Sequence, residues 1–151
     1  MELKNLLSKP QIKEISSVIS KAEMLTSGEI RLHLEEECGG NVESRALEVF
    51  YKLKMNKTEL QNGVLLYISY KDQKFAICGD KGIHEKVPKR FWKSLRNALQ
   101  RAFKKGKFFE GIVLTIMECG RRLKEYFPYQ KDDINELENH CLLYTSPSPR
   151  D

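Results

Sequence analysis

The chain has 151 residues, 40% apolar, 31% charged and 9% aromatic, with a formal charge of +5; that suits one domain and is too apolar for an intrinsically disordered chain. No apolar run approaches the ~20 residues that cross a bilayer, and the opening MELKNLLSKPQIKE lacks the long apolar stretch and small-residue cleavage site of a secretory signal. Cys38, Cys78, Cys119 and Cys141 stand without CxxC or CxxH spacing, which excludes a zinc ribbon or thioredoxin motif, and free thiols without a leader point to a reducing, cytoplasmic setting.

Ser8 to Gln11 reads as a helix start, with Ser8 as N-cap, Pro10 in the first turn and Gln11 reaching back. Ile12, Ile15, Val18, Ile19, Ala22 and Leu25 then recur at spacings of three and four, an amphipathic helix that stops at Gly28. From Glu29 to Glu36 the pattern alternates. Ile30, Leu32 and Leu34 share one face of a strand, and Glu29, Arg31, His33 and Glu35 share the other, where a surface charge ladder is expected. Asn41 caps a second helix carrying Ala46, Leu47, Phe50 and Leu53.

After a polar stretch, Gly63 opens the strongest strand, Val64 to Tyr70, whose unbroken apolar start suits cover on both faces. Lys71 to Gln73 is a turn and Lys74 to Cys78 the returning strand of a hairpin, broken by Gly79 to Gly82. A third helix runs from Pro88 to about Lys105 with Phe91, Trp92, Leu95, Ala98, Leu99, Ala102 and Phe103 inward, and Gly106 stops it. A fourth runs from about Phe108 to Phe127 with Ile112, Val113, Ile116, Met117, Leu123 and Phe127 on its buried side, closed by Pro128.

The order α-β-α-β-β-α-α predicts an α/β protein, a three-layer α/β/α sandwich around a small mixed sheet. The first two strands are parallel through a right-handed crossover, and the third is antiparallel. Residues 1–140 form one domain with a polar extension from about residue 129. The remainder, Cys141 to Asp151 (CLLYTSPSPRD), has no periodicity. It reads as a disordered tail or, preferably, as a translated sequencing adapter that is not native, and is set aside from the fold.

Parallel first and second strands bring Glu29, Asn62 and Asp80 to one rim of the sheet. Carboxylate and amide oxygens are what a hard cation such as Ca²⁺ or Mg²⁺ selects. The same residue types are also what ordinary turns require. From Lys86 to Lys107 there are nine basic residues and no acidic one, which leaves 17 basic against 21 acidic residues in the rest of the chain. That helix is either a solvated face or a docking surface for an acidic protein partner or an anionic membrane. No nucleic-acid module underlies it, and nucleic acid is not expected as a partner. His33, His84 and His140 lack a nucleophile motif, and Cys78 and Cys119 lie in apolar surroundings as structural thiols. No catalytic residue is assigned.

Thr26-Ser-Gly-Glu-Ile-Arg-Leu-His33, Asn62-Gly-Val-Leu-Leu-Tyr-Ile-Ser69, Lys74-Phe-Ala-Ile-Cys-Gly-Asp-Lys-Gly-Ile83, Phe91-Trp92, Phe103 to Gly111 and Tyr126-Phe-Pro128 follow one another in an order that resembles the TPM-domain family. Asp132 to Leu137 looks like the ending of its short cytoplasmic bacterial members, and the resemblance covers residues 8–138. It implies an α/β/α sandwich. Members include a thylakoid-lumen protein linked to photosystem II repair and acid phosphatase activity, and some bind calcium through acidic residues near the sheet rim. Asp80 stands in the family's Gly-Asp-x-Gly segment and Glu29 in its Ser-Gly-Glu segment. Two departures remove carboxylates: Arg90 and Lys93 flank Phe91-Trp92, and Gly120 is followed by Arg121. The resulting expectation is a non-enzymatic binding or scaffold module that binds Ca²⁺. The alternative is a weak metal-dependent acid phosphatase in which Asp80 holds the ion, although phosphoryl transfer asks for several convergent charges.

Overall fold

A computed structural model of the protein describes residues 6–129 and the short strand Leu142–Leu143. The first helix, α1 (Lys9–Glu23), starts on a complete capping box: the Ser8 hydroxyl accepts the Gln11 N–H at 3.2 Å, and the Gln11 side chain accepts the Ser8 N–H at 2.9 Å. Strand β1 (Glu29–Glu35) follows, then α2 (Val42–Lys52), whose Asn41 cap accepts the Ser44 N–H at 2.8 Å. A 3₁₀ turn (Met55–Lys57) leads into the hairpin of β2 (Gly63–Ser69) and β3 (Lys74–Gly79). Three helices complete the main body: α3 (Lys81–Lys86), α4 (Lys89–Lys104) and α5 (Phe108–Tyr126). A two-residue strand, β4 (Leu142–Leu143), is the last element among the described residues.

The sheet order is β3-β2-β1-β4. β1 and β2 are parallel from Glu29 opposite Gly63 to Glu35 opposite Ser69, and β3 runs antiparallel to β2 from Gly79 opposite Val64 to Lys74 opposite Ser69. The mixed sheet expected from the crossover and the hairpin is therefore present. β4 pairs in parallel with β1 at His33 and Leu34 and falls inside the segment that the sequence reading sets aside. The rest of that segment and the extension from residue 130 lie outside the described residues.

Helices α1, α5 and α4 cover one face of the sheet in that order, over Ile30, Leu32, Leu34, Val64, Leu66 and Ile68. The 3₁₀ turn and α2 cover the other face, over Leu65, Tyr67 and Ala76. Every residue of β2 is buried, as a central strand between two helical layers must be. Besides β4, two elements go beyond the expected order. The 3₁₀ turn buries Met55, and α3 forms where a break alone was expected, because Asp80 caps Lys81 and Ile83 and Val87 are anchored in the core. Helix phase also differs in places. Leu47 and Met117 are half exposed and Ala98 is exposed, while Val49 and Cys119 take core positions. Among the described residues no helix is long and apolar enough to cross a membrane.

Candidate functional site

The three rim residues do converge in the backbone. Glu29 pairs with Gly63, and the Asp80 N–H donates to the Gly63 carbonyl at 2.9 Å, so one row crosses three strands at one end of the sheet. Their side chains have different duties. Asp80 accepts the Lys81 N–H on Oδ1 at 2.8 Å, and its Oδ2 is buried with no hydrogen-bond partner among the described residues. Buried Asn62 donates its side-chain amide to Ser27 Oγ at 3.3 Å. Glu29 is buried beside Glu23, whose Oε2 accepts the Ile30 N–H at 2.7 Å. Burial, with the neighbouring Glu29 carboxylate adding to it, pushes the Glu23 carboxyl up to about 8. Among the described residues no three His, Cys, Asp or Glu side chains gather as a metal group would require.

The polar face of β1 corrects the expectation of a surface charge ladder. Glu29, Arg31, His33 and Glu35 are all buried, each 4% exposed or less. Glu35 is the hub. Arg45 of α2 donates from Nε to Oε1 at 2.8 Å and from Nη2 to Oε2 at 2.5 Å, and the Tyr67 hydroxyl of β2 donates to Oε1 at 2.5 Å. Burial alone would raise the Glu35 pKa, but the bonds from Arg45 and Tyr67 outweigh it and hold the carboxyl at about 2. The His33 ring stacks on Tyr67 at 5.7 Å and lies 3.5 Å from Glu35, and its burial lowers its pKa despite that carboxylate. Sequence pattern missed Arg45 and Tyr67, since nothing local shows that α2 crosses this row.

The basic helix is α4 with its flanks. Phe91, Leu95 and Leu99 are buried, whereas Lys89, Arg90, Lys93, Arg96, Arg101, Lys104 and Lys105 are exposed. Among the described residues none of these side chains is ion-paired. α4 stands beside β3, and two clefts run between β3 and the helices. One, of about 280 Å³, is lined by Phe75 to Gly79, by Glu43 and Leu47 of α2, and by His84, Trp92 and Arg96. The other, of about 490 Å³, shares Phe75 and Arg96 and adds Val42, Lys74, Gln100, Phe103, Lys104 and Phe108. The Trp92 ring lies so close to β3 that a Cβ on Gly79 would stand 2.5 Å from its Cη2.

Family comparison matches residues 1–122 to the TPM domain. The chain belongs to the TPM-domain family. Its structure is similar to that of the BA42 protein from the psychrophilic bacterium Bizionia argentinensis, with 45% identity, a TM-score of 0.88, and coverage of 95% of this chain and 99% of that one. The N-terminal domain of cg2496 from Corynebacterium glutamicum has the same fold at 10% identity and a TM-score of 0.63, over 94% of this chain and 84% of that one. No curated protein matches. Within this TPM domain the ordered motifs map onto distinct parts of the fold: Ser-Gly-Glu begins β1, Asn62-Gly63 begins β2, Gly-Asp-x-Gly joins β3 to α3, and of Phe91-Trp92 the phenylalanine is buried in the core while Trp92 lines the cleft beside β3.

Proposed function

We propose that this TPM domain is a non-enzymatic binding module that docks an acidic protein partner on the α4 side of the molecule. The observation that carries this reading is the juxtaposition of an exposed cationic helix, free of ion pairs among the described residues, with the two clefts along β3. A cleft with Arg96 in its wall accepts a protruding acidic chain better than a flat anionic bilayer, which would need exposed apolar side chains on the same face. The free thiols Cys38, Cys78 and Cys119 suit a cytoplasmic setting. Poly-L-glutamate and phosphatidylserine vesicles are the probes. Saturable binding of poly-L-glutamate that weakens with salt, and is lost in a Lys93→Glu/Arg96→Glu double variant, is the expected result. Equal or stronger binding to vesicles would move the assignment to a membrane surface, and binding to neither would end it.

A divalent cation at the rim is a second reading, favoured by one observation, the buried unpartnered Asp80 Oδ2. The residues as placed do not complete a Ca²⁺ shell, which takes about six to eight oxygens: Asn62 is turned to Ser27, and Glu29 packs beside Glu23. Acid phosphatase activity rests on the family resemblance alone. Calorimetric titration with Ca²⁺ and Mg²⁺ decides the matter: heat that disappears in Asp80→Ala supports the cation site, and no heat at millimolar metal rejects it.

A further inference from the structure

We propose that the outer edge of β3 accepts an extended acidic segment of the partner as an added strand; this rests on the binding-module reading and specifies its mode. The register fixes which backbone groups are available. The Asp80 N–H bonds the carbonyl of Gly63, its opposite residue, so Gly63 and Asp80 are a hydrogen-bonded pair of the antiparallel ladder. Alternation then makes Leu65–Cys78, Tyr67–Ala76 and Ser69–Lys74 the other bonded pairs. The N–H and C=O groups of Phe75, Ile77 and Gly79 consequently point away from β2. Among the described residues β3 is the last strand on that side of the sheet, and no backbone hydrogen bond reaches those three positions from outside.

The shape of the smaller cleft supports the same conclusion. Five successive residues, Phe75 to Gly79, line it. Successive strand residues point to opposite faces, so a single cleft touches all five only when it runs along the hydrogen-bonding edge. Exposed strand edges are normally blunted by proline, bulges or inward charges; β3 has no proline, and its lysine stands at the far end, at Lys74. An added strand would send alternate side chains toward α2, at Leu47, and toward α4, at Trp92 and Arg96. The Trp92 indole N–H has no hydrogen-bond partner among the described residues.

Charge selects the occupant. Arg96 borders both clefts, Lys74 and Lys104 border the larger one, and among the described residues Glu43 is the sole acidic one lining either. A segment alternating acidic with small apolar residues is complementary to the α4 wall. A second copy paired edge to edge would instead bring two basic α4 helices together, which like-charge repulsion opposes.

The test uses the full chain, labelled with ¹⁵N, and a blocked hexapeptide alternating Glu and Val. Binding is expected to shift the Phe75, Ile77 and Gly79 amides and to slow their hydrogen exchange about tenfold or more. The same peptide N-methylated at alternate residues should bind about tenfold more weakly, because it keeps the charge and loses the ladder bonds. A Lys/Val hexapeptide should not bind, and Arg96→Glu should weaken the Glu/Val peptide. Ile77→Pro removes an outward N–H without touching the β2 bonds, and should behave like peptide methylation; the methylated peptide on the native protein answers the same question should that variant not fold. Equal affinity for both Glu/Val peptides would overturn strand addition while leaving acidic docking intact. Binding of neither Glu/Val peptide nor poly-L-glutamate would overturn both. Concentration-dependent dimers protecting the same amides without peptide would replace the partner with a second copy and overturn the proposal.

Discussion

Glu35 and Arg45 form a two-point ion pair between β1 and α2, with Nε–Oε1 and Nη2–Oε2 separations of 2.8 and 2.5 Å. The pair ties the helix that covers one face of the sheet to a strand two positions away from its hairpin edge. Its carboxylate is buried, while a quarter of the arginine side chain stays exposed, so the charge that would suffer from losing its partner is the acid. Arg45→Met should therefore destabilise the fold by about 2–4 kcal/mol, below the upper range for a fully buried pair, measured as a lowered urea midpoint at pH 7. The Tyr67 hydrogen bond stays in that variant and limits the loss.

Acid sensitivity should report the same pair. The Glu35 carboxyl is held at about 2 against an ordinary 4.5, so between these values the unfolded chain binds a proton that the native protein does not. Stability from this group is complete above the ordinary value and is lost as pH falls through the window. In Arg45→Met the window narrows from its acid end. Unfolding midpoints measured from pH 5 to pH 2 should fall less steeply with acid in the variant than in the native protein; parallel slopes would place the acid response elsewhere.

Glu23 works in the opposite sense. Its carboxyl is raised to about 8, first by burial and then by the Glu29 carboxylate. The native protein keeps a proton there that the unfolded chain has released, so the contribution is complete below about pH 4.5 and falls away as pH rises through 8. Glu23→Gln keeps an oxygen for the Ile30 N–H and removes the titration. Between pH 5 and 8 the native protein should lose stability on the order of a few kcal/mol relative to the variant, seen as converging melting temperatures at the acid end and a higher one for Glu23→Gln at pH 8.

The turn after β3 supplies a contrast between two glycines. A Cβ on Gly82 would overlap the Leu60 carbonyl oxygen and lie 2.7 Å from that of Gln61, both backbone atoms. A Cβ on Gly79 meets side chains, the Trp92 ring first and then Ile83 Cγ2 at 3.4 Å. Gly82→Ala should cost about 2–3 kcal/mol and Gly79→Ala less, because a side chain yields more readily than backbone. Trp92 is the single tryptophan of the chain, so Gly79→Ala should also red-shift the intrinsic fluorescence of the folded protein, and Gly82→Ala should not.

The order of elements was legible residue by residue because each signal is local. Ser8 and Gln11 form their capping box three residues apart, Asn41 caps the helix it precedes, and period-two alternation marks β1. The helix between β1 and β2 is what a parallel pair requires, and that pairing brings Glu29, Asn62 and Asp80 to one end of the sheet. Family membership was legible too, through motifs that keep their order along the chain. Burial of the polar row was not. Alternation assigns Arg31, His33 and Glu35 to a face but carries no information about what lies over it, and Arg45 reaches that row only because α2 packs across the sheet. The open edge of β3 was hidden for the same reason: Lys74 to Gly79 reads as a strand from its own residues, but whether a strand has one neighbour or two depends on the sheet order, a property of contacts between segments far apart in the chain.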